Sequence, residues 1–254
     1  VTQLYKQGQT RAAVSPTLAT STSATGLNYG LMGYWTLDGK DTNWLTGAVT
    51  DRTGNGLTGA LVGMSTTTSG VSGKIGQALK FDSGVGSYVN LGTRPSLRFT
   101  QNVTVSAWVY PTVASENNRT IFSFDSAACC GVNYALGIGL SGSAGHFGFS
   151  INVSGNTTED SAVYTPNKWY HLVGTYDGST ITFYSNGVLR TSRSVSTTMS
   201  LYNNNIATIG GQQVSGGAGT GIFDGYIDDV RVYNRPLSAI EVTQLYKIGQ
   251  YKNR

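Results

Sequence analysis

The chain has 254 residues, 34 of them glycine, with 39% apolar and only 12% charged side chains and a formal charge of +4. Its 17 basic and 13 acidic residues are scattered without a dense Lys/Arg block, which argues against nucleic acid as a partner. No apolar run approaches the roughly 20 residues of a membrane helix, and this composition suits one large unit of short strands and many turns.

The first nine residues, Val1 to Gln9, return at Val242 to Gln250 with Gln7 replaced by Ile248. Around the second copy the signal is helical. Arg235-Pro236-Leu237 leads into Ser238, and Glu241 stands three residues on, as in a capping box. Residues 1–9 therefore read as the severed tail helix of a preceding repeat. Residues 10–26, rich in Ser, Thr and Ala around Pro16, read as a flexible or extended linker, 27–250 as the domain, and 251–254 as the start of the next linker. The offset from Val1 to Val242 is too long for a solenoid unit and fits independently folding beads on a string, which gain avidity by linking weak sites. A helix duplicated within one domain is the other reading. Val1 follows no basic and apolar leader, so any secretion signal is expected upstream.

From Leu31 onward the periodicity is two. Val103-Thr104-Val105-Ser106-Ala107-Trp108-Val109-Tyr110 alternates polar and apolar positions until Pro111 ends it, the pattern of a half-buried strand. Similar runs lie at 31–37, 78–81, 88–91, 120–124, 134–138, 146–151, 169–176, 180–185, 207–209 and 225–233. Asp177-Gly178 and Asn186-Gly187 are hairpin turn signals. So many short strands with a single terminal helix predict an all-β fold, an antiparallel sandwich of two packed sheets.

The order of several segments is familiar. Gly33-Tyr34-Trp35-Thr36-Leu37-Asp38 is followed by Asp51-Arg52-Thr53-Gly54-Asn55-Gly56 and by Gly73-Lys74-Ile75-Gly76-Gln77-Ala78-Leu79-Lys80-Phe81-Asp82. Then come Trp169-Tyr170-His171-Leu172-Val173-Gly174-Thr175-Tyr176-Asp177-Gly178 and Ile227-Asp228-Asp229-Val230-Arg231-Val232-Tyr233-Asn234-Arg235-Pro236-Leu237-Ser238. Together they resemble the laminin-G-like group of concanavalin A-type jelly rolls, across nearly all of residues 31 to 247. Leu57, Thr58 and Ser87 depart from residues common in that group. The resemblance implies a jelly-roll sandwich with its early loop and last strand close together.

Catalytic groups are scarce. Glycoside hydrolysis uses two carboxylates about one sugar bond, but Glu116, Glu159 and Glu241 are the only glutamates, none lies in a Glu-x-Asp-x-Glu strand, and no acid pair presents itself. The two histidines, His146 and His171, accompany neither a Gly-x-Ser-x-Gly elbow nor a His-Glu-x-x-His motif, and His171 reads as a structural histidine beside Trp169. The chain is thus expected not to be an enzyme.

Calcium is the better chemical candidate, since a hard dication takes carboxylate and carbonyl oxygens and the Asp51 to Gly56 loop supplies them. If Val230 and Val232 face the core, alternation puts Asp228 there too, where an unpaired carboxylate is costly. The resemblance implies that Asp51 and Asp228 share a structural ion, with Asp38 or Asn55 contributing; otherwise Asp228 accepts backbone or Arg hydrogen bonds and Asp51 caps its own turn. Cys129 and Cys130 are adjacent, closer than a relaxed disulfide spans. As a bridge they would form a strained apolar knuckle against a sugar face beside Asn133 and Tyr134; two free thiols, or a cross-link to another chain, are the alternatives. Asn117, Asn118, Arg119, Asn203, Asn204, Asn205, Gln212 and Gln213 offer polar loop groups, and Trp44 or Tyr202 a platform, although each also fits a solvated turn. Trp35, Trp108 and Trp169 are expected in the core. Sequons begin at Asn102, Asn118, Asn152 and Asn156, and such triplets are frequent by chance in a Thr-rich chain. Two functions remain: a carbohydrate-binding or adhesive module of an extracellular or cell-surface protein, or a spacer repeat or protein-binding module without a glycan ligand.

Overall fold

A computed structural model of the chain describes residues 26–126, 132–152, 157–195, 199, 201, 205–213 and 219–251. Two antiparallel sheets stack face to face, and a helix lies on the outer side of the first. The first sheet runs β15 (Val188–Ser194), β14 (Thr180–Ser185), β13 (Tyr170–Tyr176), β8 (Val103–Pro111), β19 (Gly225–Tyr233), β6 (Gln77–Phe81), β5 (Gly70–Ser72), with β1 (Leu31–Trp35) also pairing with β19. The second runs β12 (Thr157–Val163), β11 (His146–Ile151), β10 (Val132–Ile138), β9 (Arg119–Ser126), β16 (Asn205–Ile209), β7 (Tyr88–Thr93), β4 (Gly59–Val62), β3 (Ala48–Val49), β2 (Thr42–Asn43). A ribbon of β17 (Gln212–Gln213) and β18 (Gly219–Thr220) stands apart.

The inward positions meet in one core that includes Trp35, Phe81, Val105, Ala107, Phe122, Phe124, Phe149, Phe183 and Ile227. Each large side chain so buried contributes about 1.5–3 kcal/mol. Trp35 donates its indole Nε1–H to Leu57 O at 2.9 Å, so its polar atom enters the core without penalty. Gly174 lets the sheets approach, because a β-carbon there would sit 2.1 Å from the Phe149 ring. The Asn186-Gly187 signal is a tight turn joining β14 to β15, with both residues at positive φ (53° and 76°), the geometry its residue types tolerate.

Helix α1 (Ala239–Tyr251) begins at the expected capping box: Ser238 N donates to Glu241 Oε2 at 2.9 Å, and Glu241 N donates to Ser238 Oγ at 3.3 Å. Arg235 adds a bidentate pair to Glu241 at 2.6 and 3.0 Å. Val242 and Leu245 bury against the first sheet with Val173, Tyr184, Tyr233 and Leu237, and Leu27 packs on the same cluster. Tyr246 stacks on Trp108 at 5.6 Å. Trp108 is therefore buried, but in this outer layer rather than between the sheets.

Strand β19 breaks the alternation expected of it. A bulge between Asp228 and Arg231, with Asp229 at φ 53°, inserts extra backbone. Asp228 pairs with Trp108 and Arg231 with Ser106, on the outer face, while Val230 and Val232 still point into the core. Asp228 is thus not on the face of Val230, and the premise that placed it in the apolar interior fails.

Candidate functional site

At one end of the sandwich the outward positions of the first sheet turn aromatic. Register sets Tyr226 of β19 between Lys80 of β6 and Tyr110 of β8. Because Tyr170 pairs with Val109, Trp169 just before β13 falls opposite Tyr110. The rings form a row: Tyr226 and Tyr110 are stacked at 5.1 Å with an interplanar angle of 14°, and Tyr110 meets Trp169 edge to face at 5.5 Å. All three are half-buried, and among the described residues neither tyrosine hydroxyl nor the indole N–H is spent on a protein hydrogen bond.

Loops continue the row. Asp224, two residues before Tyr226, takes Thr112 N on its carbonyl (3.0 Å) and Ser83 N on its carboxylate (2.7 Å). The loop from Thr112 to Asn118 is fixed by Tyr164 Oη donating to Val113 O (2.8 Å) and Gly145 N donating to Glu116 O (2.7 Å). Ser115 and Asn118 hold positive φ (55° and 51°), strain that persists only in a well-determined loop. This construction leaves Asn117 and Asn118 exposed and Arg119 partly so. Gly221 brings Gln212 in, since a β-carbon there would lie 2.9 Å from Asn118 O and 3.6 Å from Gln212 Oε1.

Beneath this rim lies an acid pair that residue counting did not reveal. The Glu116 and Asp224 carboxyls face each other, with Arg119 Nε 3.1 Å from Glu116 Oε1 and Nη2 3.9 Å from Asp224 Oδ2. Burial foremost, then the charge of Asp224, pushes the Glu116 carboxyl up to about 7, against the pull of Arg119. Both acids gather about the Arg119 guanidinium, and the Glu116 side chain is only 2% exposed, which keeps it from reaching a sugar bond as a glycosidase acid must. His171 is structural. Its Nε2 lies 3.0 Å from Ser106 Oγ, its ring packs against Trp108, and burial followed by the Arg231 charge pushes it down to about 3.

Of the expected ligand-binding residues, Asn117, Asn118, Arg119 and Gln212 come together here. Asn133 does not: it is fully buried at a bulge in β10. Tyr134 is a correction, because its side chain points into the core, is 0% exposed and donates to Leu97 O at 2.9 Å, out of reach of any ligand. Trp44 is half-buried on the main core beneath Gly70. Trp169, expected inside, stands in the outer row. Cys129, Cys130, Tyr202, Asn203 and Asn204 lie outside the described residues, as do residues 1–25.

The expected metal ligands separate into two groups with different partners. Asp51 takes Tyr34 N (3.1 Å), Thr53 N (3.0 Å) and Thr53 Oγ1 (2.8 Å) on Oδ1, and Leu57 N (3.2 Å) on Oδ2, while Asn55 Nδ2 donates to Met32 O. Asp38 and Asp228 instead hold the turn before β6, accepting from Gln77 N and Ile75 N at 2.7 Å each. Asp51 and Asp228 thus serve different turns, each as an acceptor of backbone N–H groups. Among the described residues no three His, Cys, Asp or Glu side chains converge as metal ligands. Burial, then the charges of Asp229 and Asp38, pushes Asp228 up to about 8.

Comparison with known structures places the architecture. Domain 4 of AbnA, a GH43 extracellular arabinanase from Geobacillus stearothermophilus solved with arabinotriose, matches with a TM-score of 0.62 and 23% identity, covering 85% of this chain and 98% of that domain. The binding domain of Paraclostridial Mosquitocidal Protein 1 matches at 0.59 and 16% identity over 87% of this chain and 52% of that one. A Trypanosoma rangeli sialidase in complex with 2,3-difluoro-KDN matches at 0.63 and 16% identity over 94% of this chain and only 36% of its own. At these identities the likeness is one of fold. No curated protein sequence matches. No helix among the described residues is long and apolar enough to cross a membrane. A laminin-G family model, described as Concanavalin A-like lectin/glucanases superfamily, matches residues 82–243, and the chain belongs to that superfamily.

Proposed function

We propose that this domain is a non-catalytic carbohydrate-binding or adhesive module of a secreted or cell-surface protein, and that it takes a neutral glycan at the aromatic end of the sandwich. The observation that carries this reading is the row of Trp169, Tyr110 and Tyr226, with apolar ring bodies and polar tips that are unspent among the described residues. A sugar presents the same two chemistries, C–H faces and hydroxyl edges, and an aromatic side chain with a polar handle suits a site that is apolar on one side and wet on the other. Asn117, Asn118 and Gln212 add amide donors and acceptors from the neighbouring backbone around Gly221 and the loop that follows β8. The arabinanase domain of the same fold, solved with arabinotriose, supports the ligand class.

Isothermal titration of the module with arabinotriose and a panel of neutral oligosaccharides tests the proposal. The wild type should bind, W169A should weaken binding at least tenfold, and Tyr134→Phe, whose ring lies in the core, should leave it unchanged. Absence of binding by the single module and by a tandem of two would refute the reading in favour of a spacer.

A further inference from the structure

The Glu116–Asp224 pair connects the two halves of the proposed site. Glu116 belongs to the loop that presents Asn117 and Asn118, and Asp224 is fixed through Ser83 N at the start of the segment that carries Tyr226. The groups facing the pair are Arg119 from β9, at 3.1 and 3.9 Å, and the Tyr164 hydroxyl, which accepts Glu116 N at 3.4 Å. Among the described residues neither Glu116 oxygen has a donor in hydrogen-bonding geometry, nor does the Nε–H of Arg119 have an acceptor in line, although all three atoms are shut off from solvent. An ionised Glu116 beside the Asp224 carboxylate brings no hydrogen of its own, and a proton on Glu116 is the missing donor. With Glu116 protonated the trio of Glu116, Asp224 and Arg119 is neutral. Without it the trio carries one net negative charge in a poorly solvated place, and the two carboxylates repel.

We infer that a proton on the buried Glu116 carboxyl, facing Asp224 across Arg119, latches the Thr112–Asn118 loop against the Tyr226 end of the aromatic row, so that the site is assembled when Glu116 is protonated and loosened when it is ionised. This rests on the reading of the site as a glycan-binding face, but the latch can be read without a glycan. Repulsion between ionised carboxyls falls on the loop because Asp224 is held through Ser83 N and Thr112 N, whereas Glu116 sits between two residues already in strained backbone, Ser115 and Asn118. The titration of Glu116 near 7 places the change close to neutral pH.

The experiment has two arms. In the first, the indole N–H resonance of Trp169 and the side-chain carboxyl resonance of Glu116 are followed by NMR from pH 5 to 9 without ligand. A common step near pH 7 in the wild type, absent from the Trp169 signal of Glu116→Gln, supports the latch; a Trp169 signal unchanged across that range overturns it. In the second arm, affinity for arabinotriose is measured at pH 6 and pH 8. If only the protonated form is competent, its fraction falls about tenfold between these pH values, and the dissociation constant rises about tenfold, whereas Glu116→Gln shows a flat profile. Wild-type affinity that does not change with pH, or E116Q that keeps the slope, overturns the inference. A Trp169 step with no glycan bound at any pH supports the latch and removes the glycan-binding reading instead, so the two fail separately.

Discussion

Replacing Gly249 by alanine sets two known effects against each other, and the sign of the result shows which one governs. Within a helix, Gly→Ala is favourable by up to about 1 kcal/mol. Here, however, the new β-carbon would lie 2.4, 2.6 and 2.7 Å from Trp108 Cζ2, Cε2 and Nε1, where carbon atoms prefer about 3.5–4.0 Å. Relief requires about 1 Å of movement. The indole cannot readily give way, because it is packed between Tyr246 at 5.6 Å and His171 at 5.0 Å. The helix must lift instead, loosening Val242 and Leu245. Overpacking of this kind costs about 1–3 kcal/mol, so after the helical gain of about 1 kcal/mol the net expectation for Gly249→Ala is a loss of up to about 2 kcal/mol, or up to roughly 8 °C in Tm for a domain of this size. Urea unfolding followed by tryptophan fluorescence measures it directly. Stabilisation by about 1 kcal/mol would show that propensity alone operates and that α1 is not seated on Trp108.

Two further perturbations separate electrostatic roles. Asp51→Ala strands the buried backbone donor of Leu57 and the part-buried donors of Tyr34 and Thr53 and should cost about 3 kcal/mol, by the same amount in excess calcium and in EDTA; a penalty that appears only with calcium would assign Asp51 to a metal. Glu241 is held down to about 2, first by its hydrogen bonds from Arg235 and then by those from Ser238. A carboxyl whose folded value is depressed adds stability above its ordinary value near 4.5 and loses it as pH falls through about 2. Glu241→Gln should therefore have a lower urea midpoint than the wild type at neutral pH, and the gap should close between pH 4.5 and 2; a constant gap would mean that the pair contributes through packing rather than charge.

The central strands and the helix were legible because burial on one face enforces a pattern. Strand β8 alternates because Val105, Ala107 and Val109 must enter the core, and α1 announces itself through Ser238 and Glu241. Strands β2 to β5, β12, β15 and the β17–β18 ribbon were missed, and β2, β5, β12 and β15 are the outermost strands of their sheets. In β15 six of seven residues are exposed, so packing imposes no alternation for a reader to find. The Asp228 expectation failed for a related reason: counting by twos assumes an unbroken strand, and one bulged step at Asp229 moves a side chain to the other face.

The candidate site was half legible for a reason built into sheets. Its loop residues Asn117, Asn118, Arg119 and Gln212 can be picked out by type, but nothing local says that they meet at Gly221. The aromatic row left a fainter trace: in β8 the outward series reads Thr104, Ser106, Trp108, Tyr110, turning aromatic where solvent should favour polar groups. Trp108 is accounted for by the helix that covers it. Tyr110 is not, and its partners come from Tyr226 and Trp169, each more than 50 residues away, selected solely by the pairings of β19 and β13 with β8. Cross-strand neighbours are set by register, so a binding face made of one residue from each of several strands has no contiguous motif. It becomes visible in sequence only when aromatic residues at outward positions are paired across the sheet, and that pairing is the step that turns three scattered rings into a surface a sugar can rest on.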